Sequence, residues 1–303
     1  MHTTHSIIMV PPVDFAFNEQ TGQDNEFQQP SDLPLDVIRD DALSEFNEMV
    51  NILRDHHVEV LLLNKQHDTP PLPDAVFPNN WFSTDNQGSI TLYPMKTLNR
   101  QAEIRPHALS QLLERNHYKI KHTKTIEHQN QVLEGTGSII FDHNNTTAYA
   151  ALSERCDEQL FNNYCQTRGY QAISFQTAAS SGKPFYHTNV MMSIGDSFVV
   201  ICSEAIISNQ EQVLNKLSSH HKQIIDISLE QAEKSFCANI LQLHNLRNEK
   251  LIVMSESAYN GFSKAQRNQL EKHGTLVRCP IPTIETIGGG SARCMIAENF
   301  LPR

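Results

Sequence analysis

The chain has 303 residues, 39% of them hydrophobic and 19% charged, which suits a globular protein able to bury a sizeable core. Its formal charge of −10 argues against a nucleic-acid partner, because gripping phosphates needs a basic surface. No window is apolar for long enough to span a bilayer, and no basic region followed by an apolar stretch marks a secretory leader, so a cytoplasmic chain without a membrane partner is expected.

Ser6 to Val10 is a short apolar run halted by Pro11-Pro12, and it reads as a strand. Residues 14–29 are polar except for Phe15, Phe17 and Phe27. Phenylalanines spaced through polar residues need somewhere to pack, so this stretch reads as an ordered loop. Ala42, Phe46, Met49, Val50 and Leu53 follow helical spacing and predict an amphipathic helix over 35–56, with a buried strand at 58–63. The pattern then returns. Strand 89–94, helix 108–115 and strand 118–126 follow one another. Strands 138–142 and 146–150 pair as a hairpin across His143-Asn144-Asn145, ahead of helix 154–167 and strand 170–175. A second hairpin joins 190–194 to 198–202 across Gly195-Asp196, with helix 210–220 and strand 223–227 behind it. Strand 250–254, helix 263–273 and strand 276–279 complete the series. The spacing gives about five hairpin, helix and strand units at a period near 60 residues, with no low-complexity linker between them.

Four stretches carry chemistry-bearing residues in unusual settings. Ile287 to Ile296 holds three of the chain's 12 glycines in succession, Gly288, Gly289 and Gly290, four residues before Cys294. Consecutive glycines cost backbone entropy and mark positive φ or close approach to the main chain. A thiol delivered by such a loop suits attack on a small carbon centre, although a lone cysteine is equally often core packing. Residues 74–85 contain Asp74, the paired Asn79 and Asn80 and the only tryptophan, in what otherwise reads as a surface loop with a buried anchor. Leu133-Glu134-Gly135-Thr136-Gly137 sets a carboxylate between apolar residues and a glycine turn, either a solvent turn or a partly buried acid with a purpose. Tyr186-His187-Thr188-Asn189 leads a histidine into an apolar strand, with an asparagine two residues on and so on the same face. Most of the 15 histidines, such as His56, His57, His220 and His221, lie at helix ends without such a setting. The six cysteines form no Cys-x-x-Cys pair, which argues against a zinc knuckle or redox dithiol. Cys156, on a helical stripe with Leu152 and Leu160, and Cys202 read as core; Cys279 is the other thiol worth testing.

In this order, Asn80, Leu-Glu-Gly, His-x-Asn and Gly-Gly-Gly-x-x-x-Cys-Met resemble the amidinotransferase and arginine deiminase superfamily, the penteins, and most closely the citrulline-utilisation hydrolases. The resemblance runs over essentially the whole chain, from Phe17-Asn18-Glu19-Gln20 onwards. It implies one catalytic domain over 1–303, an α/β fold in which five ββαβ units form a propeller around a central active-site pocket. It also implies Cys294 as nucleophile, His187 as general acid/base and Glu134 as its carboxylate partner. No metal or organic cofactor is implied. The partner is a small amino-acid substrate, and homo-oligomerisation is left open.

Where arginine-processing members carry aspartates that grip a guanidinium, this sequence has Asn80 and Asn189. An amide can donate as well as accept, so the exchange favours a neutral ureido group. The expected reaction converts citrulline to ornithine, ammonia and carbon dioxide through a covalent thiol intermediate. Asp74 is the candidate for the substrate's α-ammonium and Arg293 for its carboxylate, while backbone groups of Gly289 and Gly290, or the two asparagines, are candidates for the developing oxyanion. Thr136-Gly137 replaces the Gly-Asp of many relatives, which leaves the surroundings of Glu134 open. Rival readings are an arginine or methylarginine hydrolase or amidinotransferase of the same fold, and a non-catalytic amino-acid sensor.

Overall fold

The computed structural model describes residues 2–66, 69–220 and 222–303, so His221 lies outside the described residues. Among these the strands form five sheets of three strands each. In chain order the strands are β1 Ser6–Met9, β2 Glu59–Leu62, β3 Phe82–Thr84, β4 Ser89–Leu92, β5 His122–Thr125, β6 Ile140–Asp142, β7 Thr147–Ala151, β8 Gln171–Phe175, β9 Met192–Ile194, β10 Phe198–Ile201, β11 Gln223–Asp226, β12 Leu241–His244, β13 Lys250–Ser255, β14 Thr275–Cys279 and β15 Ala297–Glu298. Every middle strand pairs antiparallel with one neighbour and parallel with the other. A parallel pair needs a crossover, and each crossover contains a helix, at Leu35–Asp55, Pro106–Arg115, Glu158–Arg168, Gln210–Ser219, and Glu256–Gly261 with Lys264–Leu270. The result is the five-unit α/β architecture of a pentein propeller.

Burial explains the order within each sheet. All four residues of β4 and of β10 are buried, whereas all four of the outer β5 are exposed. The first crossover helix buries Ile38, Ala42, Phe46, Met49, Val50 and Leu53, the positions that its periodicity marks. Three expectations need correction. The first unit takes its antiparallel strand from the far end of the chain, where β15 pairs Glu298 with Ile7 and Ala297 with Ile8. Two residues carry no periodicity, so the closure was invisible in sequence. The second hairpin starts at Met192 rather than Val190, because Thr188–Val190 is a 3-10 turn. Thr188 pins that turn by donating to Ser138 C=O (2.6 Å) and accepting from Ala151 N–H (2.8 Å). Cys156 lies ahead of its helix, which starts at Glu158 and is capped by Asp157.

Residues 14–29 form the ordered loop that their phenylalanines require. Phe15 is buried, and Phe27 packs against Phe185, Tyr186 and Phe236 at ring separations of 5.9, 5.7 and 5.6 Å. Among the described residues no helix is long and apolar enough to cross a membrane.

Candidate active site

Five segments lie just ahead of the first strand of a unit, and their side chains form two groups, one around Glu134 and one around Cys294. Asn80 precedes β3, Glu134 precedes β6, His187 and Asn189 precede β9, Asn239 precedes β12 and Cys294 precedes β15. Glu134, His187 and Cys294 are 1, 2 and 2% exposed.

The charged half is built on Glu134. One carboxylate oxygen accepts from Lys96 N–H (3.0 Å), and the other meets His187 Nε2 (2.8 Å) and Arg155 Nη1 (3.6 Å). Burial alone would push this carboxyl up, but Arg155, His187 and Arg100 outweigh it and hold it well below the usual carboxylate range. Burial lowers the His187 imidazole below its ordinary 6.5, with Glu134 pulling the other way. Gly137 permits this arrangement. A Cβ there would sit 2.3 Å from Asn80 Nδ2 and 2.9 Å from the His187 ring. Thr136, whose role the sequence left open, donates to Asn79 C=O (3.3 Å) and ties the Glu134 turn to the asparagine turn.

Around the sulfur the partners are neutral amides. Asn189 Nδ2 and Asn239 Nδ2 donate to Cys294 Sγ at 3.3 and 3.2 Å. Burial pushes four other thiols, Cys165, Cys202, Cys237 and Cys279, up to about 12, which leaves them protonated, Cys279 included.

Asn80 ends the Pro78–Asn80 turn, with proline in its first position. Arg100 Nη1 donates to Asn80 Oδ1 (2.6 Å) while its Nε and Nη2 clasp Glu103 at 3.0 and 2.9 Å. A guanidinium only donates, so the Asn80 oxygen must face Arg100 and its N–H groups must face away. Among the described residues Asn80 Nδ2, Asn189 Oδ1, one oxygen of Asp74 and both amide atoms of Asn79 are buried without a hydrogen-bond partner. Buried orphan groups are rare and costly in native proteins, and these leave donors and acceptors open to a ligand. The other Asp74 oxygen accepts from Asn18 (2.7 Å) and Thr21 (2.8 Å) of the 14–29 loop. Asp24 of the same loop holds Arg155 through two bonds of 3.0 and 2.6 Å.

Arg293 and the three glycines singled out in sequence are placed differently. Arg293 turns away from Cys294, donating to Ile296 C=O (2.9 Å) and pairing with Glu298 (2.9 Å), on the side where His2 and His143 lie. Gly289 spends its N–H on Glu285 C=O (2.9 Å) as the left-handed cap of helix Pro282–Gly288, with φ of +61°. Its carbonyl accepts from Tyr186 OH (2.5 Å) and Asn25 (3.3 Å). Gly288 and Gly290 make room for Phe77, whose ring would lie 2.8 and 3.0 Å from a Cβ at each. The glycine run therefore seats a phenylalanine and ends a helix. Sequence reasoning missed Arg100, Arg155 and Asn239. Arginines look like surface residues until their partners are known; Asn239, set between Ala238 and Ile240 just ahead of a strand, was legible through the repeat.

A cavity of about 1480 Å³ opens elsewhere, among Phe82, Phe141, Tyr170 and Phe300, and none of Cys294, His187 and Glu134 lines it. Among the described residues no three His, Cys, Asp or Glu side chains are grouped to hold a metal ion.

The profile of the eukaryotic N,N dimethylarginine dimethylhydrolase family matches residues 11–301. The fold is similar to that of the N-terminal domain of ArgZ, an arginine dihydrolase from the ornithine–ammonia cycle of cyanobacteria. A substrate-bound cysteine-to-serine variant of that domain superposes with a TM-score of 0.71 at 16% identity, over 97% of this chain and 97% of that one. An asparagine-to-serine variant, covalently bound to a reaction intermediate, gives 0.71 at 17% over 98% and 99%. The dimethylarginine dimethylhydrolase of Pseudomonas aeruginosa, a cysteine-to-serine variant complexed with citrulline, gives 0.67 at 14% over 99% and 100%. No curated protein sequence matches the chain. The chain thus belongs to the N,N dimethylarginine dimethylhydrolase family of the guanidino-modifying pentein superfamily, and is a hydrolase acting on a non-peptide C–N bond.

Proposed function

We propose that the protein hydrolyses the ureido group of citrulline to ornithine, ammonia and carbon dioxide, with Cys294 as nucleophile, His187 as proton carrier and Glu134 as the carboxylate that orients the imidazole. The observation that carries the substrate is the pair of orphaned amide atoms, a free N–H on Asn80 and a free C=O on Asn189. A ureido group offers one acceptor oxygen and several N–H donors, so each orphan finds its complement. A guanidinium offers donors only, and would set N–H against the N–H of Asn80. Leaving such a group unpaired costs about 1–3 kcal/mol, roughly 5- to 150-fold in relative rate.

The chemistry follows from the parts. Cys294 gives its proton to neutral His187 and its sulfur bonds to the ureido carbon. Asn80 donates to the developing oxyanion. The carbon–nitrogen bond then breaks, the departing nitrogen takes the proton from His187, and a thiocarbamate remains on the sulfur. Water loses a proton to His187 as its oxygen adds to that carbon, the sulfur leaves as thiolate, and the carbamate released breaks down to carbon dioxide and an amine. The free oxygen of buried Asp74 receives the substrate's α-ammonium. The covalent intermediate captured in ArgZ supports such a route.

Mass spectrometry of protein quenched during turnover of citrulline tests this reading. A substrate-derived adduct on the Cys294 peptide is expected. Adducts elsewhere, or turnover surviving in Cys294→Ser, refute it. If Cys294→Ser binds citrulline without turning it over and the wild-type protein also fails to turn it over, the sensor reading gains.

A further inference from the structure

We infer that Asn239 is a positioning residue for the nucleophile, holding the Cys294 sulfur and main chain together and stabilising negative charge on the sulfur. Three bonds run between this residue and two successive residues of the 287–296 loop. Its backbone C=O accepts from Arg293 N–H (3.3 Å), its Oδ1 shares the Cys294 N–H (3.3 Å) with Ser291 C=O (2.9 Å), and its Nδ2 donates to Cys294 Sγ (3.2 Å). The second Nδ2 proton goes to Asn189 C=O (3.0 Å). Both ends of the amide are thus committed, and flipping it would set N–H against N–H and oxygen against oxygen. Asn239 is fully buried, and a buried amide satisfied on every side does not wander.

The contrast with Asn189 gives Asn239 a separate task. Asn189 keeps an orphaned oxygen for the substrate, so its amide must accommodate a ligand as the reaction proceeds. Asn239 has both of its N–H groups committed and keeps one of them on the sulfur. A hydrogen bond to a charged acceptor is worth more than one to a neutral acceptor, so this donor favours the thiolate over the thiol. It does the same when the thiolate leaves the thiocarbamate.

The inference rests on Cys294 being the nucleophile, and the test keeps the two apart. Full-length wild-type, Asn239→Ala and Asn239→Asp proteins are alkylated with iodoacetamide across a range of pH, the label on the Cys294 peptide is followed by mass spectrometry, and kcat and KM for citrulline are measured in parallel. Asn239→Ala is expected to move the alkylation midpoint up by about one pH unit and to lower kcat at neutral pH about tenfold with KM little changed. Asn239→Asp keeps the size and the acceptor for Cys294 N–H but sets a carboxylate beside the sulfur, and is expected to move the midpoint further up. It decides the matter if the alanine variant does not fold. Wild-type midpoints in the folded variants, or a downward shift in Asn239→Asp, overturn the inference. Turnover that survives Cys294→Ser overturns the nucleophile itself, whatever Asn239 does.

Discussion

The two halves of the site solve opposite problems. Around Glu134 the charged partner is Arg155, which Asp24 clasps in turn, with the neutral His187 ring beside the same carboxylate. Around Cys294 the partners are the uncharged amides of Asn189 and Asn239. A charge that is permanent needs permanent counter-charges, because a lone buried ion is costly. A charge that appears and disappears on sulfur is better served by N–H groups, which stabilise it when present and leave no unpaired ion when it is gone. A carboxylate at position 189 or 239 would repel the thiolate at close range.

The largest expected effect falls where the two halves do chemistry together. Cys294→Ser should lose roughly three or more orders of magnitude in kcat and still bind citrulline, as isothermal titration would show; a variant with a tenth of wild-type activity would remove the sulfur from the mechanism. Next comes Gly137→Ala, which drives a methyl group to 2.3 Å from Asn80 Nδ2 and 2.9 Å from the His187 ring. Displacing reacting groups by this much costs about a hundredfold in kcat, and steady-state rates on folded protein would check it. Asn80→Asp replaces the free donor with an acceptor, and should shift the ratio of citrulline to arginine kcat/KM by about tenfold towards arginine. An unchanged ratio would mean that Asn80 does not read the substrate.

The smallest effect is the acid limb. Because burial lowers the His187 ring below its ordinary 6.5, the neutral form required to accept a proton persists to lower pH than in a free imidazole. The acid midpoint of kcat/KM should therefore lie below 6.5. Stability follows the same sign. As pH falls through 6.5, the unfolded chain protonates this ring while the folded chain does not, so folding weakens across that window. The depressed Glu134 carboxyl adds its own loss only as pH drops below 4.5 towards its folded value. A kcat/KM midpoint above 6.5 would make His187 a poor choice for the base.

Much of this was legible in the chain because its units repeat. Strand and helix periodicity located the middle strands and the crossover helices, and the positions ahead of β3, β6, β9 and β15 drew attention through glycines, prolines and polar residues in apolar settings. What stayed hidden depends on partners distant in sequence. Arg293 sits beside Cys294 in the chain, yet Ile296 and Glu298 turn it away. Arg155 looks like any surface cation until Asp24 and Glu134 are seen around it. The glycine run predicts positive φ or a close approach to the main chain; Gly289 has the positive φ, and the ring admitted beside Gly288 and Gly290 belongs to Phe77. Residue identity gave the chemistry of each group; only the fold says which neighbour uses it.

The central claim is that an uncharged urea fits the free N–H of Asn80 and the free C=O of Asn189. Initial rates on citrulline and on arginine, measured side by side at equal concentration with ornithine and ammonia quantified, test it most directly. Faster release of ornithine from citrulline, with ammonia in equal amount, is the predicted result; faster consumption of arginine would contradict it.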